Sequence, residues 1–207
     1  MKLAVITGEG LEREFRSKQF PGYANVCVVN SPQNVPADSY IVFDLLFSNT
    51  PERVSLLKQF LPRPVFINAV TDTLSEIDQP FIRINAWPTF LERSILEVAV
   101  LPEGEKTAAE VFDKLGWKYQ FVPDITGMIS ARIAGAIINE AYHTLEADVS
   151  SKEEIDIAMK LGTHYPYGPF EWSTKIGLKN LYDMLSQLSK ENSLYEVSRL
   201  LTDEAIV

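Results

Sequence analysis

The strongest constraint in this chain of 207 residues is a change of hydrophobic period near Pro123. Before it, short apolar runs rich in β-branched residues alternate with helical stretches. Strands are predicted over residues 3–7, 26–29, 40–45, 65–68, 81–86 and 95–101, with helices over 11–18, 51–61 and 105–115. Runs that are apolar on both faces and alternate with helices predict a parallel sheet covered on both sides. The opening strand–turn–helix carries Gly8 and Gly10 at its turn, a Rossmann-type beginning. The expected fold is therefore an α/β Rossmann-type parallel sheet domain, truncated, over residues 1–121, followed by an all-α domain over 122–207.

Helical period takes over beyond Pro123. Met128, Ile129, Ile133, Ala136, Ile137, Ala141 and Leu145 form one apolar stripe. Overlapping capping boxes, Ser150 with Glu153 and Ser151 with Glu154, open the next helix, and Gly162 is expected to close it. Pro166 and Pro169 interrupt the ladder before helical period resumes over 178–188 and 194–201.

Charge and cysteine content narrow the partners. The formal net charge of −9 opposes general nucleic-acid binding. The single cysteine, Cys27, forms no internal disulfide and belongs to no metal or redox pair, so no metal is expected. No apolar run approaches the roughly 18 residues that a membrane span needs. The chain reads as a cytoplasmic protein without a membrane segment.

Five blocks in the helical part carry a family signature: Gly127–Arg132, Asn139-Glu140-Ala141, Ile155-Asp156 with Ala158–Gly162, Tyr165-Pro166 with Gly168–Glu171, and Ile176-Gly177-Leu178. Together they resemble the C-terminal domain of 3-hydroxyacyl-CoA dehydrogenases. The resemblance implies an N-terminal domain that binds NAD, a helical domain that forms a homodimer, and oxidation of a 3-hydroxyacyl-CoA in fatty acid metabolism. It also implies a general-base His held by a Glu, with a Ser and an Asn on the substrate oxygen.

Carried across position by position, the resemblance places Glu97 at the orienting carboxylate and Asn85 where the family has its His. Asp72 falls at the Ser, with Thr71 and Thr73 beside it as alternative hydroxyls, and Ala131 falls at the Asn. An amide accepts no proton near neutral pH, so Asn85 is not a general base. At the nucleotide turn, Gly8 and Gly10 are kept, but Arg13 replaces the third glycine and Glu9 lies inside the turn. Asn30 stands where an acid would meet the adenosine ribose. Two readings follow. One is a short dehydrogenase using NAD on an acyl-CoA or related small molecule. The other is a non-catalytic dimeric relative that binds such ligands or serves an accessory role. A different reaction with Asp72, Glu97 or His164 as proton carrier is a third.

Overall fold

The computed structural model describes residues 1–206, which divide into two compact units, one ending at Met128 and the other starting at Ile129. The sequence pattern placed this division at 121.

The first unit is built on a seven-stranded sheet: β1 (Lys2–Ile6), β2 (Asn25–Val29), β3 (Ile41–Asp44), β4 (Val65–Ile67), β5 (Ile82–Ile84), β6 (Ile95–Ala99) and β7 (Lys118–Phe121), in the order β2-β1-β3-β4-β5-β6-β7. All neighbours run parallel except β5 and β6, where Arg83 faces Ala99 and Ile84 faces Val98 in antiparallel register. The expected parallel sheet is thus mostly parallel. β7 was not foreseen, because its Lys-Tyr-Gln-Phe alternates exposed and half-buried side chains instead of forming an apolar run.

Alternation along each strand sends side chains to two cores. Leu3, Val5, Phe43, Phe66, Ile84 and Val98 enter one, beneath α1 (Glu9–Ser17) and α4 (Glu105–Leu115). Ile6, Val42, Val65 and Ile67 enter the other, beneath α2 (Pro51–Lys58) and the short α3 (Leu74–Ile77). Both faces are covered, which is why these strands read as continuous apolar runs. Phe15, Phe43, Phe66, Phe112 and Trp117 meet edge-on or stacked in the first core, with ring centroids of successive partners 4.6 to 6.3 Å apart.

The strand order has a direct reading. A doubly wound dinucleotide fold runs 3-2-1-4-5-6. Here β2, β1, β3, β4 and β5 take the places 2-1-4-5-6, and place 3 is missing. A single turn of 3-10 helix, Pro32–Asn34, carries the chain from β2 toward β3. The strand order reverses between β1 and β3, so the switch-point crevice lies beyond the carboxyl ends of those two strands.

The second unit holds α5 (Ser130–Glu146), α6 (Lys152–Thr163), α7 (Pro169–Ile176), α8 (Leu178–Ser189) and α9 (Arg199–Ala205). α5 packs against α7, α8 and α9. Ala134, Ile138 and Tyr142 of α5 are buried, as are Phe170, Leu181, Leu185 and Leu201. The Tyr142 and Phe170 rings meet edge-on at 4.9 Å. The predicted stripe is divided. Met128 and Ala141 are buried, whereas Ile129 and Ile133 are 44% and 56% exposed. Gly162 does not close α6. The helix continues to Thr163, and His164 takes the left-handed conformation with φ 57°.

Candidate active site

Asn85 follows β5 directly, and Glu97 lies in the middle of β6. The antiparallel register sets them side by side: the Asn85 backbone N–H donates to the Glu97 carbonyl at 3.2 Å. The Asn85 side-chain amide donates to Glu97 Oε2 at 3.1 Å. Asn85 is buried, and its Oδ1 has no hydrogen-bond partner. The reversed amide would press its carbonyl against the carboxylate, so the donor orientation is the favourable one. The two residues singled out from the sequence are therefore side by side, with the Asn85 amide as a neutral donor to the Glu97 carboxylate.

Asn68, just past β4, links this corner to its neighbours. Its Nδ2 donates to the Leu45 carbonyl at 3.3 Å, and its Oδ1 accepts the Ala86 N–H at 3.0 Å. Asp72 sits on the loop that follows, accepting from Asn49 Nδ2 at 3.4 Å. Thr73 is committed elsewhere: its hydroxyl caps α3 in a reciprocal capping box with Glu76.

Sequence reasoning missed the group that holds this loop. Arg83, with its side chain fully buried, points out of β5 toward the chain crossing below it. Its Nε donates to the Ala69 carbonyl at 2.7 Å, and its Nη2 to the carbonyls of Val70 and Ile125 at 3.1 and 3.3 Å. Its Nη1 pairs with Asp124, which in turn accepts the Leu74 N–H at 2.9 Å. Burial pulls the guanidinium below its ordinary range, while the Asp124 carboxylate opposes that shift. A charge within the apolar run 81–86 was the available signal: an arginine there needs several fixed acceptors.

At the nucleotide turn, Gly8 is the N-cap of α1, with no side-chain cap. A Cβ added at Gly8 or Gly10 would meet nothing within 4 Å, and neither glycine adopts positive φ. The chain's own packing thus does not require these glycines, and the space before the first helical turn is open, as a pyrophosphate cradle requires. The ribose side fits less well. Asn30 is exposed and accepts from Asn34 Nδ2 at 2.9 Å. Glu12, in the first turn, pairs with Arg16 at 2.7 Å.

The signature blocks of the second unit have structural explanations. Asp156 of α6 is buried, and its two oxygens accept the N–H groups of Phe170 and Glu171 at 2.8 and 3.1 Å, capping α7 from a neighbouring helix. A Cβ at Gly168 would collide with the Asp156 carboxylate. Asn139 donates to the Glu196 carbonyl at 2.8 Å and accepts the Ser198 N–H at 3.0 Å, fixing the approach to α9. His143 lies 3.2 Å from the Glu196 carbonyl and 3.6 Å from Glu146, so its partners are structural. His164 is exposed at the end of α6. An apolar groove of about 470 Å³ runs along α5 and α6, lined by Ala136, Ile137, Ile155, Ala158 and Met159. Among the described residues, no three acidic, His or Cys side chains are grouped to hold a metal. No helix among them is long and apolar enough to cross a membrane.

A shortened, doubly covered Rossmann-type sheet followed by a helical unit defines a dehydrogenase-type fold. Residues 127–204 match the family model of the 3-hydroxyacyl-CoA dehydrogenase C-terminal domain, so this stretch of the chain is similar to that domain. The 3-hydroxyadipyl-CoA dehydrogenase of Escherichia coli K12 is 35% identical over 88 residues, 42% of this chain and 18% of that protein. Human mitochondrial hydroxyacyl-coenzyme A dehydrogenase is 40% identical over 78 residues, 36% of this chain and 25% of that protein. The matched stretches thus span about a quarter or less of these relatives' own length. Among solved structures, (S)-3-hydroxybutyryl-CoA dehydrogenase from Ralstonia eutropha superposes with a TM-score of 0.69 at 22% identity, covering 86% of this chain and 69% of that one. 3-Hydroxybutyryl-CoA dehydrogenase from Escherichia coli K12 gives 0.66 at 17%, covering 98% and 50%. At such identities these two likenesses establish the fold.

Proposed function

We propose that this protein binds the ligands of the family it resembles, a 3-hydroxyacyl-CoA or a related small acyl compound together with NAD, without the family's histidine-driven turnover. The observation that carries this reading is Asn85, which donates to Glu97 at 3.1 Å from the position of the general base. A side chain that donates and cannot accept a proton leaves the substrate hydroxyl with no base there, and loss of a general base typically costs about 10²–10⁴-fold in rate. The open Gly8–Gly10 turn supports a place for the pyrophosphate against the amides that begin α1. NAD, when bound, supplies the hydride acceptor. The exposed Ile129 and Ile133 and the apolar groove along α5 and α6 support a homodimer formed through the helical unit.

A second reading, slow dehydrogenase activity, is favoured by the half-buried Glu97, the titratable group of the Asn85–Glu97 pair. One experiment separates the two. The protein is mixed with NADH and acetoacetyl-CoA, in parallel with Glu97→Ala. Saturable binding of either ligand without NADH consumption is expected. Consumption that disappears in Glu97→Ala would establish the second reading, and absence of binding by both ligands would overturn the first.

A further inference from the structure

The first unit carries a second cavity, away from the glycine turn, of about 470 Å³. Its walls are the end of α1 (Ser17 to Gln19), the loop before β6 (Glu92 to Ser94) and the start of β7 (Gly116 to Lys118). Three cationic side chains line it, Lys18, Arg93 and Lys118, against one acid, Glu92. In a chain of net charge −9, this is a local reversal of sign.

None of the three cations is in an ion pair among the described residues. The Lys18 ammonium donates to the Arg93 carbonyl at 2.6 Å and lies 5.8 Å from the centre of the Trp117 ring. The Arg93 guanidinium sits 4.5 Å over the Phe90 ring, a contact that favours a cation there. Trp117 Nε1 donates to the Gln19 carbonyl at 3.0 Å, fixing the floor. Burial lowers the proton affinity of both Lys18 and Arg93, and at Arg93 the Glu97 carboxylate opposes that shift without overcoming it. Carbonyls at the end of α1 account for a cation at Lys18. They do not account for Arg93, on a loop, or Lys118, on a strand.

We infer that this cavity is a binding site for a small organic oxyanion, a phosphate ester or a carboxylate, held by Arg93 through its planar donor fork and by Lys18 and Lys118 as point charges. The cavity is larger than a bare ion requires, so the anionic group is one end of the ligand. The site lies wholly in the first unit, and its Arg93 feels the Glu97 carboxylate of the candidate active site.

The test is a titration of the ¹⁵N-labelled full chain with sodium phosphate and, separately, with sodium acetate, each at ionic strength held constant with sodium chloride. Saturable shifts are expected at the amides of Lys18, Arg93, Ser94 and Lys118 and at the Trp117 indole. The anion that saturates at lower concentration identifies phosphate or carboxylate as the preferred group. Arg93→Gln, whose side chain leaves no hydrogen bond behind, should weaken that binding tenfold or more with an unchanged melting temperature. Lys18→Gln should do the same, provided its melting temperature shows an intact fold. Shifts that fail to saturate for both anions, or that persist in Arg93→Gln, would overturn the assignment.

Discussion

Asn85 and Glu97 are joined twice, by a backbone hydrogen bond of 3.2 Å and by a side-chain hydrogen bond of 3.1 Å from amide to carboxylate. Glu97 therefore has a neutral donor beside it. Asn85→Asp would exchange that donor for a second carboxylate in a buried position. The two acids cannot both ionise there, so the pair's upper titration is raised. A raised acid contributes its stability below the ordinary carboxylate range and loses it as pH rises through the raised value. Asn85→Asp should therefore cost about 3 kcal/mol at neutral pH, and the loss should shrink as pH falls toward the shared titration. Urea denaturation at several pH values checks this, and a pH-independent loss would contradict it.

Asn85→His should place an acceptor against Glu97 and supply the base that the proposed function holds to be missing. Where the ligands bind, NADH consumption with acetoacetyl-CoA should rise about 10²–10⁴-fold over the parent chain. Steady-state assays on both proteins decide the matter.

Arg83 is the strut of the loop after β4. Arg83→Met removes every one of its donors, takes the side-chain partner from the carbonyls of Ala69, Val70 and Ile125, and leaves Asp124 without its counter-charge. A loss of about 3–5 kcal/mol is expected, as for other broken buried pairs. Arg83→Lys should recover little of it, because one ammonium cannot span acceptors arranged for a planar fork. Chemical denaturation of both variants measures the difference.

Gly168 and Asp156 should be strongly coupled. Gly168→Ala drives a methyl group into the Asp156 carboxylate, and about 2 kcal/mol or more is expected. Asp156→Ala removes the α7 cap at a cost of about 1–2 kcal/mol. The double variant should be less destabilised than the sum, because losing the carboxylate makes room for the methyl group. A double-mutant cycle by thermal melting reads the coupling directly.

The two units should respond differently to acid. In the helical unit, Glu146, Glu154, Glu171 and Glu204 all titrate below their ordinary value. The Leu200 N–H holds Glu146 down, Ser150 holds Glu154, and Lys160 holds Glu171. For Glu204, burial pushes upward and is overcome by Lys152 and Tyr142. Lowered acids contribute stability above their ordinary value and lose it as pH falls through the folded one. In the sheet unit, Asp38 is likewise held down by its hydrogen bond from Lys2, whereas burial raises Asp44 against the opposing pull of Arg53, so the Asp44 contribution is lost on the way up. Amide signals from α6 to α9 should therefore vanish before those of β1 and β3 as pH is lowered from 6 toward 3. The opposite order would refute the assignment.

Much of this was legible in the chain. β1 to β5 declared themselves because strands covered on both faces are apolar throughout, and the prolines at 166 and 169 marked the gap between α6 and α7. Direction was not legible: periodicity is the same for a strand running either way, so the reversal at β6 was hidden. Ile129 and Ile133 belonged to a real apolar stripe, but period alone does not say whether a stripe faces a core. His164, not Gly162, ends α6, because the left-handed residue is set by where the helix stops and not by composition. At the candidate site, residue types alone put an amide at position 85 and a carboxylate at position 97. The pairing of Asn85 with Glu97 required the register, and the work of Arg83 required the fold.

The missing third strand has a consequence for how the molecule meets its neighbours. β2, five residues without a charge, is left as the outermost strand, hydrogen-bonded to β1 along one side. The opposite border, β7, carries Lys118 and Gln120 outward. A bare strand border is a template onto which another extended chain can add, and charged side chains are the usual guard against it. Without a strand beyond it, β2 turns an inner position of the sheet into an adhesive margin, so the sheet is protected at one border and not at the other.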